Sequence, residues 1–205
     1  MKNICIIFGG VSCEHEVSRI SAVNVLRNLD KKKYHPFVIE ITKDRQYYLY
    51  EYHDNDEYYQ QLVQINNKLD KEKIVPDITM SQKMNIDVVF PVLHGTKGED
   101  GTLQGYLDLC NVAYVGSDVL SSAICMDKVL CKDILVKNGI AVADYLWFSC
   151  DEIKKSINKV VKLIESKFAY PVFVKPSECG SSVGISKAKN ADSLKKALGF
   201  AALFS

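Results

Sequence analysis

Apolar residues along this chain follow two periods, one that suits strands and one that suits helices. Asn3 to Phe8 is a short apolar run closed by Gly9-Gly10, which predicts a buried parallel strand. From about Glu14 to Leu29, the residues Val17, Ile20, Val23 or Asn24, and Leu26 fall near helical spacing, so a helix is expected beyond a tight glycine turn. Phe37 to Ile41 reads as a second strand. Strand, helix, strand in that order suggests an open α/β sheet. Gln46 to Gln64 is rich in tyrosine and acids, and Asn66 to Lys73 is strongly polar, so this stretch is expected to be a surface hairpin or loop region. Asp87 to Leu93 returns to a buried strand, with Pro91 near its end. A helix over Thr102 to Cys110 and a short strand over Val112 to Val115 follow.

The second half continues in the same manner. Asp118 to Asn138 is helical in two pieces, and Gly139 is a suitable stop. A strand is expected near Tyr145 to Phe148. Asp151 to Lys167 is an amphipathic helix with Ile153, Ile157, Val160, Val161 and Ile164 on one face. Pro171 to Lys175 and Val183 to Ala188 read as two strands flanking the loop from Pro176 to Ser182. Asp192 opens a further helix, but the last residues, Gly-Phe-Ala-Ala-Leu-Phe-Ser, carry no charge and no cap. An apolar tail needs something to cover it, so the chain is expected to stop in the middle of a domain.

Composition narrows the classes. The 205 residues leave room for one large domain or two small ones with a real core. A hydrophobic fraction of 47% and a charged fraction of 25% are ordinary for a soluble globular protein. With 26 basic and 25 acidic residues, the net charge of +1 gives no electrostatic case for nucleic acid or for an anionic membrane surface. The first apolar run is too short for a signal-peptide core and no run approaches a membrane span, so a cytoplasmic location is expected. The seven cysteines are odd in number, irregular in spacing and without C-x-x-C, which argues against a disulfide framework and a zinc site.

Three glycine-containing loops carry the candidate chemistry. The first, Gly9 to Ser18, sits where a strand hands over to a helix. Helix N-termini expose unpaired N–H groups that favour anions, yet acids in a first turn also stabilise a helix with no ligand at all. Its glycines do not form G-x-G-x-x-G, and His15-Glu16-Val17-Ser18-Arg19 departs from H-E-x-x-H at the second ligand. The second loop, His94 to Gly101, follows a buried strand, where open α/β sheets place ligands; a polar turn with an exposed histidine is the plain alternative. The third, Lys175 to Gly184, sets a lysine at a strand end before a Gly-Ser-Ser turn, which can offer backbone and hydroxyl donors to a phosphate. Gly180-Ser181-Ser182-Val183-Gly184 also satisfies G-x-S-x-G, but a hydrolase elbow needs a helix after it and a histidine downstream. A strand is expected there instead, and His15, His35, His53 and His94 all lie upstream. No Walker A pattern occurs.

Taken in order, the loops resemble the D-alanine–D-alanine ligase family of ATP-grasp enzymes. The resemblance rests on Phe8-Gly9-Gly10-x-Ser12-x-Glu14-x-Glu16-Val17-Ser18 and on His94-Gly95-x-x-Gly98-Glu99-Asp100-Gly101-Thr102-Leu103-Gln104-Gly105. It continues through Tyr114-Val115-Gly116-Ser117, Ser121-Ser122-Ala123, Met126-Asp127-Lys128, Pro171-Val172-x-Val174-Lys175-Pro176 and Gly180-Ser181-Ser182-Val183-Gly184. Within the family the chain also resembles the D-Ala–D-Ser ligases of vancomycin resistance.

The resemblance implies an α/β fold: an open parallel-sheet, Rossmann-like domain over residues 1–120, then an incomplete α+β ATP-grasp domain over 121–205. It implies ATP and Mg2+ as cofactors, with the magnesium ligands in a part not present, and D-alanine plus a second D-amino acid as substrates. A homodimer is a candidate assembly. ATP would phosphorylate the carboxylate of a first D-alanine, and the second amine would displace the phosphate, making a dipeptide for the bacterial cell wall. Glu14 would hold the first ammonium, with Ser181 in the same catalytic network. Lys128, Lys175 and Ser182 would meet the ATP phosphates, and His94 and Glu99 would lie on the substrate side. Without magnesium ligands the polypeptide alone is expected to be inactive. A noncatalytic binding module that keeps the fold is the alternative from another class.

Overall fold

The computed structural model describes residues 1–77 and 79–204. It divides into two compact units, Met1–Ala123 and Ile124–Ser205.

The first unit runs β1 (Lys2–Gly9), α1 (His15–Asn28), β2 (Tyr34–Ile41), β3 (Tyr47–Tyr50), α2 (Asp56–Leu62), β4 (Lys71–Ile74), α3 (Met80–Lys83), β5 (Val88–Pro91), α4 (Thr102–Leu109) and β6 (Ala113–Tyr114), and ends within α5 (Val119–Met126). Among the described residues these strands form one sheet in the order β4-β3-β2-β1-β5-β6. The centre is parallel: β1 pairs with β2 and β5, and β5 with β6. β3 and β4 extend one edge antiparallel.

β1 is buried on both faces, which is why its sequence is a continuous apolar run rather than an alternation. Ile4, Ile6 and Phe8 face one core with Ala22, Val23 and Leu26 of α1; Cys5 and Ile7 face the other with Val89, Leu93, Leu103 and Leu107. Full burial pushes the Cys5 thiol up to about 12, so it stays protonated as a small apolar group.

Helix α1 corrects the face expected from sequence. Val17 and Ile20 are about half exposed, at 51% and 50%. The buried stripe is His15, Ser18, Arg19, Ala22, Val23 and Leu26, at ideal helical spacing but with a polar first turn. Apolar residues drew the expected stripe one position away, because the polar ones are the buried ones here. Arg19 is fully buried, and its guanidinium donates to Glu40 of β2 and to the carbonyls of Leu62 (2.8 Å) and Gln64 (2.7 Å), while its Nε reaches Val63 (3.2 Å). Glu40 also accepts from the Tyr50 hydroxyl.

The tyrosine-rich stretch is likewise not a surface loop. Tyr50, Tyr58, Tyr59 and Leu62 are buried and complete the core beside α1. Asn55 caps α2 by accepting from the Tyr58 amide at 2.8 Å.

The second unit continues α5 and adds α6 (Lys128–Lys137), α7 (Cys150–Lys167), β7 (Val172–Val174), β8 (Ser186–Ala188) and α8 (Ala191–Ala201). β7 and β8 pair antiparallel, and Val160, Val161 and Ile164 of α7 pack with Leu194, Ala197 and Leu198 of α8 beneath them. A capping box at Ser149 and Glu152 starts α7, and another at Asn190 and Ser193 starts α8. The strand expected near Tyr145 to Phe148 is extended chain outside any ladder. Leu146 and Phe148 still turn inward against the core while Trp147 is exposed, so the alternation is real but no described strand pairs with it. The β8 strand begins later than expected, because residues 181–184 form a turn.

Arg19→Met should destabilise the chain by about 3–5 kcal/mol in urea unfolding, since it strands a buried carboxylate. Arg19→Met combined with Glu40→Gln should recover part of that loss. A single-variant loss below about 1 kcal/mol would show that water, not Arg19, satisfies Glu40.

Candidate functional site

In the first unit the β1–α1 turn and the β5–α4 loop meet at the C-terminal ends of the central strands. Gly9 and Gly10 have φ of +89° and +90°, and a Cβ on Gly9 would lie 2.4 Å from the Ile41 carbonyl oxygen. Only glycine can make that turn. Ser18 of α1 clamps both strands: its hydroxyl donates to the Val92 carbonyl (2.5 Å) and accepts from the Gly9 amide (2.7 Å). The ring Nδ1 of buried His15 lies 2.7 Å from the Gly10 carbonyl oxygen, so that nitrogen carries the proton.

These contacts deliver Glu14 to the loop that holds His94 and Glu99. A Cβ on Gly95 (φ +69°) would come within 2.9 Å of Glu14 Oε2, so glycine makes the room that the carboxylate occupies. Ser12 Oγ donates to the His94 carbonyl (2.7 Å) and accepts from the Glu14 amide (3.1 Å). Glu99 accepts from the Gly95 amide (2.7 Å) and stands 4.0 Å from His94 Nδ1. His94 Nε2 lies 3.1 Å from the Ser21 hydroxyl. Buried Gln104 donates to the Gly98 carbonyl (3.0 Å) and so secures the far side of the loop. Glu14, His94 and Glu99 therefore form one cluster.

The second unit gathers the remaining candidates around the loop after β7. Lys128, whose helix is capped by Asp127, donates its ammonium to the carbonyls of Ser177 (3.2 Å) and Cys179 (2.5 Å). Partial burial draws Lys128 below the ordinary lysine range, and the charge of Lys175 acts in the same direction. Lys175 is exposed at the end of β7. Ser181 and Ser182 are both exposed and left-handed, with φ of +44° and +62°. Such conformations in non-glycine residues are uncommon and concentrate at ligand-binding turns. Gly184 follows at φ +71°, where a Cβ would strike Pro176 Cγ at 2.5 Å.

Comparison with known proteins decides the family. A profile described as D-ala D-ala ligase N-terminus matches residues 3–117, and one described as D-ala D-ala ligase C-terminus matches residues 134–204. The chain belongs to the D-alanine–D-alanine ligase family. It is 43% identical over 225 residues to the D-alanine–D-alanine ligase of Acetivibrio thermocellus, covering 99% of this chain and 59% of that protein. With the ligase of Clostridium acetobutylicum it shares 45% identity over 200 residues, 96% of this chain and 56% of the relative. Among solved structures, the D-alanine–D-alanine ligase of Coxiella burnetii matches with a TM-score of 0.85 at 34% identity, over all of this chain and 61% of that one. The VanG D-Ala:D-Ser ligase of Enterococcus faecalis matches with a TM-score of 0.82 at 36% identity, over 98% of this chain and 59% of that one. The chain thus spans a little over half the length of these relatives. Its α/β fold with a mainly parallel sheet agrees with that membership.

Family membership raises two ligands, and the residues fit them unequally. A triphosphate suits the second unit's turn, with two lysines and two left-handed serines. For a metal ion, no group of three or more His, Cys, Asp or Glu stands together among the described residues. No described helix is long and apolar enough to cross a membrane.

Sequence reasoning gave no role to Ser12, Ser18 and Gln104, which stand in its motifs, and missed Ser21 altogether. The partners of the three serines lie far along the chain, 82 residues away for Ser12, 74 for Ser18 and 73 for Ser21, so no local spacing reveals them, whereas Gln104 reaches Gly98 only 6 residues away.

Proposed function

We propose that the protein takes part in ATP-dependent ligation of D-alanine to a second D-amino acid. Residues 1–120 would serve the first amino acid and residues 121–205 the nucleotide phosphates. The observation that carries this reading is the Glu14 carboxylate set over Gly95 beside His94 and Glu99 at the strand ends. A carboxylate in that position suits an amino-acid ammonium, with a charge-assisted hydrogen bond worth about 1.5–3 kcal/mol.

In the reaction proposed, a carboxylate oxygen of D-alanine attacks the γ-phosphorus of ATP, ADP leaves, and an acyl phosphate remains. The amine of the second D-amino acid then attacks the acyl carbon, the C–O bond to phosphate breaks, and the amine loses a proton. Glu14 orients the first substrate by its ammonium. His94 and Glu99 shape the wall beside it, and Ser181, on the left-handed turn of the second unit, is the other residue assigned to catalysis. Lys128 has two of its three protons engaged with loop carbonyls, which leaves capacity for one phosphate oxygen while it fixes the turn. Lys175 and Ser182 add a point charge and a hydroxyl. When bound, Mg2+ supplies charge neutralisation to the phosphates, and no residue here is assigned to it. The product is the dipeptide used for peptidoglycan. D-serine as the second amino acid is the other reading, supported by the likeness to the VanG D-Ala:D-Ser ligase.

Glu14→Gln should weaken D-alanine binding to the chain by about tenfold or more in calorimetry. Unchanged binding would remove Glu14 from the site. Lys175→Ala should lower ATP affinity by roughly tenfold and leave D-alanine binding alone, since a point charge on a phosphate is lost. An identical ATP isotherm would make Lys175 a surface residue at a strand end. The purified 205-residue chain, given D-alanine, ATP and Mg2+, should release no ADP, because the described residues include no metal donor set. ADP and dipeptide above background would overturn that expectation.

A further inference from the structure

We infer that Ser12 is a positioning residue that joins the β1–α1 turn to the His94–Glu99 loop and makes them one binding surface for the first amino acid. The inference rests on the proposed reading of Glu14 as the ammonium partner. It adds a residue whose own side chain touches no substrate.

A hydroxyl has one proton to donate and two lone pairs to accept with. Ser12 donates its proton to the His94 carbonyl (2.7 Å) and accepts the Glu14 N–H (3.1 Å). The carbonyl of His94 and the amide of Gly95 belong to a single peptide group. That group is gripped at both ends: Ser12 holds its oxygen, and the Glu99 carboxylate holds its N–H at 2.7 Å. The orientation of this peptide plane sets where Gly95 Cα lies, and the Glu14 carboxylate packs against that Cα. Ser12 therefore acts on both members of the contact, the Glu14 backbone from one side and the Gly95 backbone from the other.

Helix geometry alone does not fix Glu14. It stands at the N-cap of α1 with φ −94° and ψ 14°, and its side chain makes no cap bond to the helix. Its amide precedes the helical ladder and depends on the turn for a partner, which Ser12 supplies. The fit is close as well as polar: a Cβ on Gly95 would sit 3.3 Å from Ser12 Cβ and 3.4 Å from its Oγ. Loss of the hydroxyl releases two bonds at once, and a small displacement of an anchoring carboxylate is enough to lose binding.

The test is a titration of D-alanine into the 15N-labelled 205-residue chain, following the Glu14, Gly95 and Glu99 amides by NMR. The wild-type chain should show a saturable response. Ser12→Ala should shift the Glu14 and Gly95 amides before any ligand is added and raise the D-alanine Kd about tenfold, with Ile6 and Leu26 unmoved. Ser12→Thr, which keeps donor and acceptor, should restore binding to within about twofold. Should Ser12→Ala unfold the turn, Ser12→Cys takes its place, with a weak donor and an expected loss of about threefold or more. Wild-type affinity in Ser12→Ala or its substitute Ser12→Cys, alongside weak binding in Glu14→Gln, would overturn the role of Ser12 alone. A wild-type chain without a saturable response, or a Glu14→Gln chain that binds normally, would instead bring down the reading of Glu14 on which the inference stands.

Discussion

The buried guanidinium of Arg19 is the point on which the first unit converges. It rises from α1, pairs with Glu40 of β2 and meets the carbonyls of residues 62, 63 and 64 where α2 ends. A charge this deep is tolerated only when paired and fully hydrogen-bonded, and these partners satisfy that demand. The consequence is directional. An apolar stripe lets a helix slide or rotate with modest loss, whereas a guanidinium with fixed acceptors holds one register. The rotation of α1 about its axis is set by Arg19, and with it the direction in which Glu14 leaves the helix start.

Above Arg19 the same helix turns progressively toward the site. Ser18, one residue earlier, locks the end of β1 to the end of β5 through the Gly9 amide and the Val92 carbonyl. His15 fixes the Gly10 carbonyl, and its Nε2 faces Glu40 at 3.7 Å. A line of polar contacts thus runs from the buried ion pair, through the first turn of α1, to the glycine turn. Polar groups in a core are normally a liability. Here each has a partner that belongs to a different strand or loop, so the same contacts that satisfy them also specify geometry.

The sequence told much of this in outline and little of it in detail. β1 was legible because a parallel strand buried on both faces leaves an uninterrupted apolar run. The capped helix α7 was legible because its apolar face follows a 3.6-residue period. The face of α1 was misread because Val17 and Ile20 are exposed, while His15, Ser18 and Arg19 take the inward positions. The tyrosines at 50, 58 and 59 were assigned to the surface on composition. Their rings bury, and the hydroxyls of Tyr50 and Tyr59 are answered by Glu40 and Asp54, as amphipathic rings allow. Residues 145–148 show the alternation of a strand without the ladder, and alternation is the only part a sequence can report. The glycine loops stood out as candidates because φ above zero and close backbone approach both favour glycine. Ser12 stood in the first motif without a role, because its meaning lies in a carbonyl 82 residues away.

That division also bears on which chemistry this part of the family carries. The relatives include D-alanine–D-alanine ligases and a D-Ala:D-Ser ligase, whose names share D-alanine and differ in its partner. On the proposed reading, the cluster of Glu14, His94 and Glu99 serves the shared amino acid, and the lysine and serine turn serves the nucleotide. On that reading both tasks are the same whatever the second amine. The fold of this stretch is similar in both kinds of ligase, with TM-scores of 0.85 and 0.82. A site for one fixed substrate can be built from rigid backbone, buried serines and glycines with no spare room, and it gains nothing from variation. Selectivity for the second amino acid calls for side chains that differ between ligases, and the backbone-held cluster around Glu14 is poorly suited to supply them.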